Sequence, residues 1–341
     1  MSQAPAARGS AVDCHAHLAP RDALARLGWL QVADGQVAVR VGDRWQPVPR
    51  ALVEPDMLAD DGAARGIAVR VVSLPPFLLR HDLPPADGAA YSRAMNNGLA
   101  ALAQAAGGRL RALATVPMQD PAAAAAELRR AREDLGCDGV TIAASVAGRL
   151  ELDDPALEPF WEVCERLRVL VFVHPHDVAG AGRMQRYHLR NLVGNPTETA
   201  LGAAYLIFGG VLDRHPGLVV LLAHGGGALP WLVGRLDRGV DVRPECRGMV
   251  TPPSQQARRF LYDTVVFSPQ ILRALVAWVG PAQVVLGTDA PFDMSDPHPV
   301  TTVMQALSDV GARRAVLEGN AARLLAFPGP TSRPAPRAPS A

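Results

Sequence analysis

The chain contains no lysine: all 34 of its basic side chains are arginine. That absence excludes Schiff-base chemistry through a lysine amine, a Walker A phosphate loop, and a carbamylated lysine bridging two metal ions. Aromatic residues are scarce at 5%, and no apolar run reaches the roughly 18 to 20 residues that span a bilayer. Charge of either sign is not in excess; the formal net charge of +1 predicts no broad attraction to nucleic acid or acidic lipid. Only four cysteines occur, Cys14, Cys137, Cys164 and Cys246, and none has CxxC spacing. They read as reduced thiols of a cytoplasmic protein. The opening residues "MSQAPAARGS" have no apolar stretch of the kind a secretory signal needs.

What the chain does have is 49% hydrophobic residues over 341 positions, enough for a large core. Apolar runs of strand length recur at 11–15, 68–74, 111–117, 138–145, 169–175, 218–226, 260–268 and 284–292. Helical stretches separate them, such as "PAAAAAELRRAREDLG" at 121–136, with Pro at the first helical position and Gly past the end. Another, from Asn195 onward, opens with Asn195 as N-cap, Pro196 next and Glu198 at the third position, a capping-box pattern. Near-continuous apolar strands alternating with helices imply a parallel sheet buried on both faces. Eight such strands predict an α/β fold, a distorted (β/α)8 TIM barrel over residues 11–327; a doubly wound open sheet is the alternative. Residues 19–54 break the rhythm with short alternating runs and Asp-Gly and Gly-Asp turn signals, and read as a small β insertion after strand 1. Residues 328–341, "GPTSRPAPRAPSA" and its flank, are too rich in proline and too poor in apolar residues to fold.

Of nine histidines, four fall where the runs end: His15 and His17 close the first, His174 the fifth, His224 the sixth. Asp289 ends the eighth. Residues two apart on a strand point the same way, so His15 and His17 project together. The C-terminal strand ends are the face on which barrel enzymes build their sites. A single histidine at a strand end is commonly a hydrogen-bonded structural group; five rare polar residues gathered at one end of different strands are not explained that way. Three imidazoles and a carboxylate suit one divalent ion, zinc foremost, with manganese or iron as alternatives. A further histidine is then left to move protons near neutral pH. His215 precedes a strand and belongs to the opposite face, and His81 and His298 fall in proline-rich loops expected to be solvated.

The segments "VDCHAH", "FVHPHD", "LAHGGGALPWLVGRLDRG" and "LGTDAPF" resemble the amidohydrolase superfamily, and within it the branch typified by aminocarboxymuconate-semialdehyde decarboxylase. The likeness runs from Val12 to about Phe327 and includes the insertion. It implies a barrel with one metal ion, ligands His15, His17, His174 and Asp289, and His224 as the catalytic acid/base, with Asp289 also favouring proton capture. It further implies that Arg235 in "VGRLDRG" reaches the site of a partner subunit, hence a homodimer. An arginine that the branch carries in the insertion is here Gln46, which cannot clamp a carboxylate bidentately, with Arg50 four residues on. His188, Arg190 and Asn191 in "RMQRYHLRN" are further candidate substrate contacts.

The function so implied is decarboxylation of an unsaturated or aromatic carboxylic acid, a small-molecule substrate, with a metal-activated water and a histidine acid/base. The same residues could instead serve a metal-dependent hydrolase acting on an amide, lactone or related carbonyl. A relative that had lost catalysis should have lost one of the five positions, and all five hold competent residues.

Overall fold

The computed structural model of the chain describes residues 10–325. Eight strands run parallel in one sheet: β1 (Ala11–His17), β5 (Ile67–Ser73), β6 (Leu110–Ala114), β7 (Gly139–Ala143), β8 (Leu170–His174), β9 (Val219–Leu222), β10 (Leu261–Asp263) and β11 (Val284–Val285), neighbours in that order. The sheet curls until its ends meet. Cys14 N–H donates to the Leu286 carbonyl at 2.8 Å, His17 N–H to Ala290 at 2.7 Å, and Asp289 N–H to His15 at 2.8 Å. These bonds join β1 to the segment after β11, which gives a nearly closed, distorted (β/α)8 barrel. Every residue of β1, β7 and β8 is buried, as expected of strands covered on both faces. Cys14, Val71, Leu113, Phe172, Leu221, Leu261 and Val285 form one buried cluster inside the barrel, with Ala321 and Leu324 added from the last helix.

Helices α1 (Arg21–Arg26), α2 (Pro55–Ala64), α3 (Pro85–Ala105), α4 (Pro121–Glu133), α5 (Glu158–Leu167), α6 (Asn195–Phe208), α7 (Val211–Arg214) and α8 (Leu229–Val242) lie between strands, with further helices toward the C-terminus. The start of α4 shows why. The Asp120 side chain accepts from Ala123 N–H at 3.1 Å, Pro121 needs no donor in the first turn, and Ala124, Leu128 and Ala131 share the buried face. Burying a leucine such as Leu128 stabilises the fold by about 1.5–3 kcal/mol.

The insertion is a three-stranded antiparallel sheet of β2 (Leu30–Ala33), β3 (Gln36–Val41) and β4 (Arg44–Val48), preceded by α1. The Asp34-Gly35 and Gly42-Asp43 pairs are its two-residue turns, as the sequence predicts. Val37 and Val39 are its anchors in the core, at 2% and 0% exposure.

Three expectations are corrected. Asn195 does not cap a helix: its backbone is already helical, a π-helical turn over Arg190–Gly194 runs straight into α6, and Glu198 accepts from Ala179 N–H at 2.8 Å instead. The local capping box loses to a continuous helix that enters five residues earlier. His81 is not solvated but buried at 7% exposure, because a proline-rich loop can turn inward as readily as outward. The runs at 260–268 and 284–292 form regular strand only over three and two residues, since both chains bend away to build the site. The tail at 328–341 lies outside the described residues. Among the described residues no helix is long and apolar enough to cross a membrane.

Candidate metal centre and substrate chamber

Barrel closure brings the first strand and the segment after the last strand together at one point. β1 carries His15 and His17, β8 ends in His174, and the segment bonded to β1 carries Asp289. All four are buried, and one donor atom from each lies within 4.8 Å of the others. His15 Nε2 and His17 Nε2 are 3.3 Å apart, and Asp289 Oδ1 is 3.3 Å from the first and 3.1 Å from the second.

The other nitrogen of each ring explains the convergence. His15 Nδ1 is bonded to the Asp263 carboxylate at 2.6 Å, His17 Nδ1 to the Leu74 carbonyl at 3.3 Å, and His174 Nδ1 to the Pro175 carbonyl at 2.9 Å. Carboxylates and carbonyls accept, so each Nδ1 carries a proton and each Nε2 is the nitrogen left to offer a lone pair to a cation. His174 Nε2 is buried with no hydrogen-bond partner. Three lone pairs and a carboxylate aimed at one buried point repel one another unless a cation lies between. Ligands about 2.0–2.1 Å from one tetrahedral ion are themselves roughly 3.3–3.4 Å apart, close to the 3.1–3.3 Å seen among His15, His17 and Asp289. The residues fit a divalent metal.

Charge agrees with this. Burial alone would lower the His15 pKa, yet the Asp289 and Asp263 carboxylates outweigh it and push it up to about 10. Burial also opposes ionisation of Asp289, but positive charge at His15 and the close approach of the His15, His17 and His224 rings hold its carboxyl well below the usual range. Desolvation lowers His17 and His174 and keeps them neutral, the form a ligand requires. The pocket therefore calls for positive charge at its centre.

His224 stands beside this group rather than in it. Its Nε2 is 3.5 Å from Asp289 Oδ2, its Nδ1 is buried without a partner, and its ring centroid is 5.1 Å from that of His174. The residue follows β9 and has a left-handed backbone, φ +57°. The three glycines after it are packed too closely for side chains: a Cβ on Gly226 would lie 2.4 Å from Tyr262 and one on Gly227 2.1 Å from the Pro196 carbonyl. That tight turn is the physical content of "AHGGG".

A cavity of about 440 Å³ opens over His174 and Asp289, within the usual range for small-molecule sites. Gln46, His188, Arg190 and Asn191 all line it. Phe292 lies 5.4 Å from the His17 ring and 6.1 Å from Phe77, so one wall is aromatic. Arg190 is the one permanent cation among its described lining residues, and it donates to the His176 carbonyl at 3.2 Å. A second lobe of about 240 Å³ shares Asn191, Asp289 and Met294 and runs under His224 along Val265, Val266 and Phe267. Tyr187 and His188 both have left-handed backbones, φ +58° and +57°, next to the π-helical turn that carries Arg190 and Asn191. Backbone irregularities of this kind cluster at ligand sites. Arg235 is absent from the chamber of its own chain and is exposed on α8.

Two buried carboxylates escaped the sequence reading. Asp263 ends β10 and holds His15. Asp13 accepts from His15 N–H at 3.0 Å and Thr288 Oγ at 2.6 Å, and faces Arg70 Nε at 3.2 Å. Asp263 lies inside the apolar run at 260–268 rather than at its end, so the rule that picked out Asp289 passed over it.

The family model described as amidohydrolase matches residues 12–327. The chain is 31% identical over 333 residues to 2-amino-3-carboxymuconate-6-semialdehyde decarboxylase of Dictyostelium discoideum, a match covering 93% of this chain and 92% of that protein. In fold it is similar to 2,6-dihydroxybenzoate decarboxylase complexed with 2,6-dihydroxybenzoate, with TM-score 0.78, 24% identity, and 93% and 99% of the two chains covered. It is likewise similar to 5-carboxyvanillate decarboxylase from Novosphingobium aromaticivorans complexed with manganese and a nitrobenzoic acid, with TM-score 0.76, 18% identity, and 93% and 96% covered.

Proposed function

This chain belongs to the amidohydrolase family, and on that premise we propose that it is a metal-dependent carbon–carbon lyase that decarboxylates a planar unsaturated or aromatic carboxylic acid. The observation that carries the reading is the convergence of three bare Nε2 atoms and Asp289 under an aromatic-walled chamber with His224 at its edge. His15, His17, His174 and Asp289 would hold the ion. We assign zinc on the strength of three imidazoles and one carboxylate; manganese is what one solved relative holds. Such an ion supplies Lewis-acid polarisation of a substrate oxygen.

The chain's own residues do the rest. The aromatic wall of Phe77 and Phe292 packs against a flat ring or conjugated chain. Arg190, with Gln46, His188 and Asn191, binds the polar edge of the substrate. When the carboxylate leaves as CO₂, the electron pair of the broken bond stays on carbon, and His224 Nε2 delivers the proton that this carbon takes up. Nε2 regains that proton from water entering the lobe that His224 lines. Asp289 Oδ2, 3.5 Å away, keeps the ring turned toward the site.

A homodimer completes the reading. Helix α8 exposes Trp231 and Leu232, with Trp231 at 69%, on the same helix as Arg235, and an apolar strip of this kind suits a subunit interface. Arg235 then serves the neighbour's chamber. Four free thiols, three of them buried, support a reducing, cytoplasmic setting. The hydrolase alternative uses the same residues, but the relatives compared above are decarboxylases, which weighs against it.

The test is to load the protein with zinc or manganese and screen hydroxybenzoate-type and carboxymuconate-type acids for CO₂ release in deuterated water. The expected product has lost one carbon and gained one deuterium there. A product that keeps every carbon and takes up solvent ¹⁸O would overturn the reading in favour of hydrolysis.

A further inference from the structure

We propose that Asp263 is a positioning residue that ties the metal ligand His15 and the proton-transfer residue His224 to a single carboxylate, fixing one relative to the other. The inference rests on the metal reading above. Asp263 is fully buried at the end of β10. One oxygen, Oδ2, takes His15 Nδ1 at 2.6 Å and the backbone N–H of His224 at 2.9 Å. The other, Oδ1, takes the N–H of Gly225 at 2.8 Å and that of Val265 at 3.0 Å. Four donors from three segments thus share two oxygens.

Each bond has a separate consequence. An acceptor at Nδ1 forces the His15 proton onto that nitrogen and leaves Nε2 bare for the ion. The bonds to His224 and Gly225 hold a turn in which a non-glycine residue is left-handed, a conformation side chains rarely adopt. Without them His224 would relax and its ring would leave Asp289. A carboxylate that served the fold alone would need only the turn; one that served the metal alone would need only His15. Asp263 does both through the same oxygen.

An Asp263→Asn side chain keeps the shape but offers one acceptor and one donor. If its amide nitrogen faces His15, the imidazole must flip its proton to Nε2 and the ion is lost. If the nitrogen faces Gly225 and Val265, His15 and the His224 N–H keep their acceptor and the ion stays, but the turn loses the bonds from Gly225 and Val265 and His224 is held less firmly. Apo wild type, Asp263→Asn, Asp263→Ser and Tyr262→Phe would be titrated with Co²⁺ alone, following the visible ligand-field bands. Tyr262→Phe removes a buried hydrogen bond on the same strand, 2.6 Å to the Ala257 carbonyl, without touching either histidine.

The expected result is a loss of about 10- to 100-fold in cobalt affinity with altered bands for the Asp263 variants, or intact affinity with kcat reduced at unchanged KM under saturating metal. Tyr262→Phe should match wild type in affinity, bands and kcat. Unchanged affinity, bands and kcat in a folded Asp263→Asn or Asp263→Ser would overturn the inference, as would an equal loss in Tyr262→Phe. Failure of both Asp263 variants to fold would assign the carboxylate to the fold and also overturn it. A wild type that takes up no cobalt would instead defeat the metal reading itself.

Discussion

Metal binding at the barrel mouth should be visible as stability, and the four-donor assignment fixes which substitutions abolish it. An ion that binds only the folded chain, at a hundredfold excess over its Kd, adds about 2.7 kcal/mol. Unfolding entropy near Tm is about 2.1 cal/mol/K per residue, so a chain of 341 residues unfolds with roughly 0.7 kcal/mol/K. The quotient predicts a rise of about 4 °C on adding zinc to chelator-stripped protein. His174→Ala removes a donor whose only role in the site is its bare Nε2, so the rise should vanish. His224→Ala removes a ring that contributes no donor to the cluster, so the rise should persist while turnover is lost. Differential scanning calorimetry of each protein with and without zinc reads this directly, and comparing each variant with itself cancels the cost of the missing ring. A metal-dependent shift that survives His174→Ala but disappears in His224→Ala would refute the assignment of ligand and proton carrier.

Two more predictions follow from residues away from the metal. Burial pulls the His81 pKa down to about 4, and the unfolded chain titrates near the ordinary 6.5, so between those values the unfolded state binds the extra proton. Stability therefore falls as the pH drops through that window, by about 2–3 kcal/mol between pH 7.5 and 4.5, and His81→Asn should remove that part of the urea-midpoint shift; an unchanged shift would show that His81 does not carry it. If Arg235 acts across a two-fold interface, mixing inactive Arg235→Ala with inactive His224→Ala subunits should restore about a quarter of wild-type turnover, because each mixed dimer then holds one intact site. Trp231→Glu should yield monomers by ultracentrifugation, and a fully active monomer would exclude the shared site.

Much of this was legible in the chain, for reasons that differ by residue. His15, His17, His174 and Asp289 could be found because each ends an apolar run, and a parallel barrel has only one end at which such residues can meet. Gln46, His188, Arg190 and Asn191 reach the chamber from the insertion and a loop, where no periodicity marks direction; only resemblance pointed to them. Asp263 and Asp13 were hidden because their partners lie far off in sequence, and an acid in an apolar run reads equally as a ligand, a brace or a mismatch. The capping box at Asn195 failed because a preceding π-helical turn supplied what the cap would have. His81 was misjudged for a similar reason: proline-rich surroundings say that the chain turns, not that it faces water.

The hydrogen bonds that join β1 to the segment around Asp289 have a consequence for how the protein comes into being. Two of the four donors lie on the first strand, while Asp289 follows the last. A fragment that stops short of β11 carries the histidines without the carboxylate, so the full donor set exists only once the barrel has closed on itself.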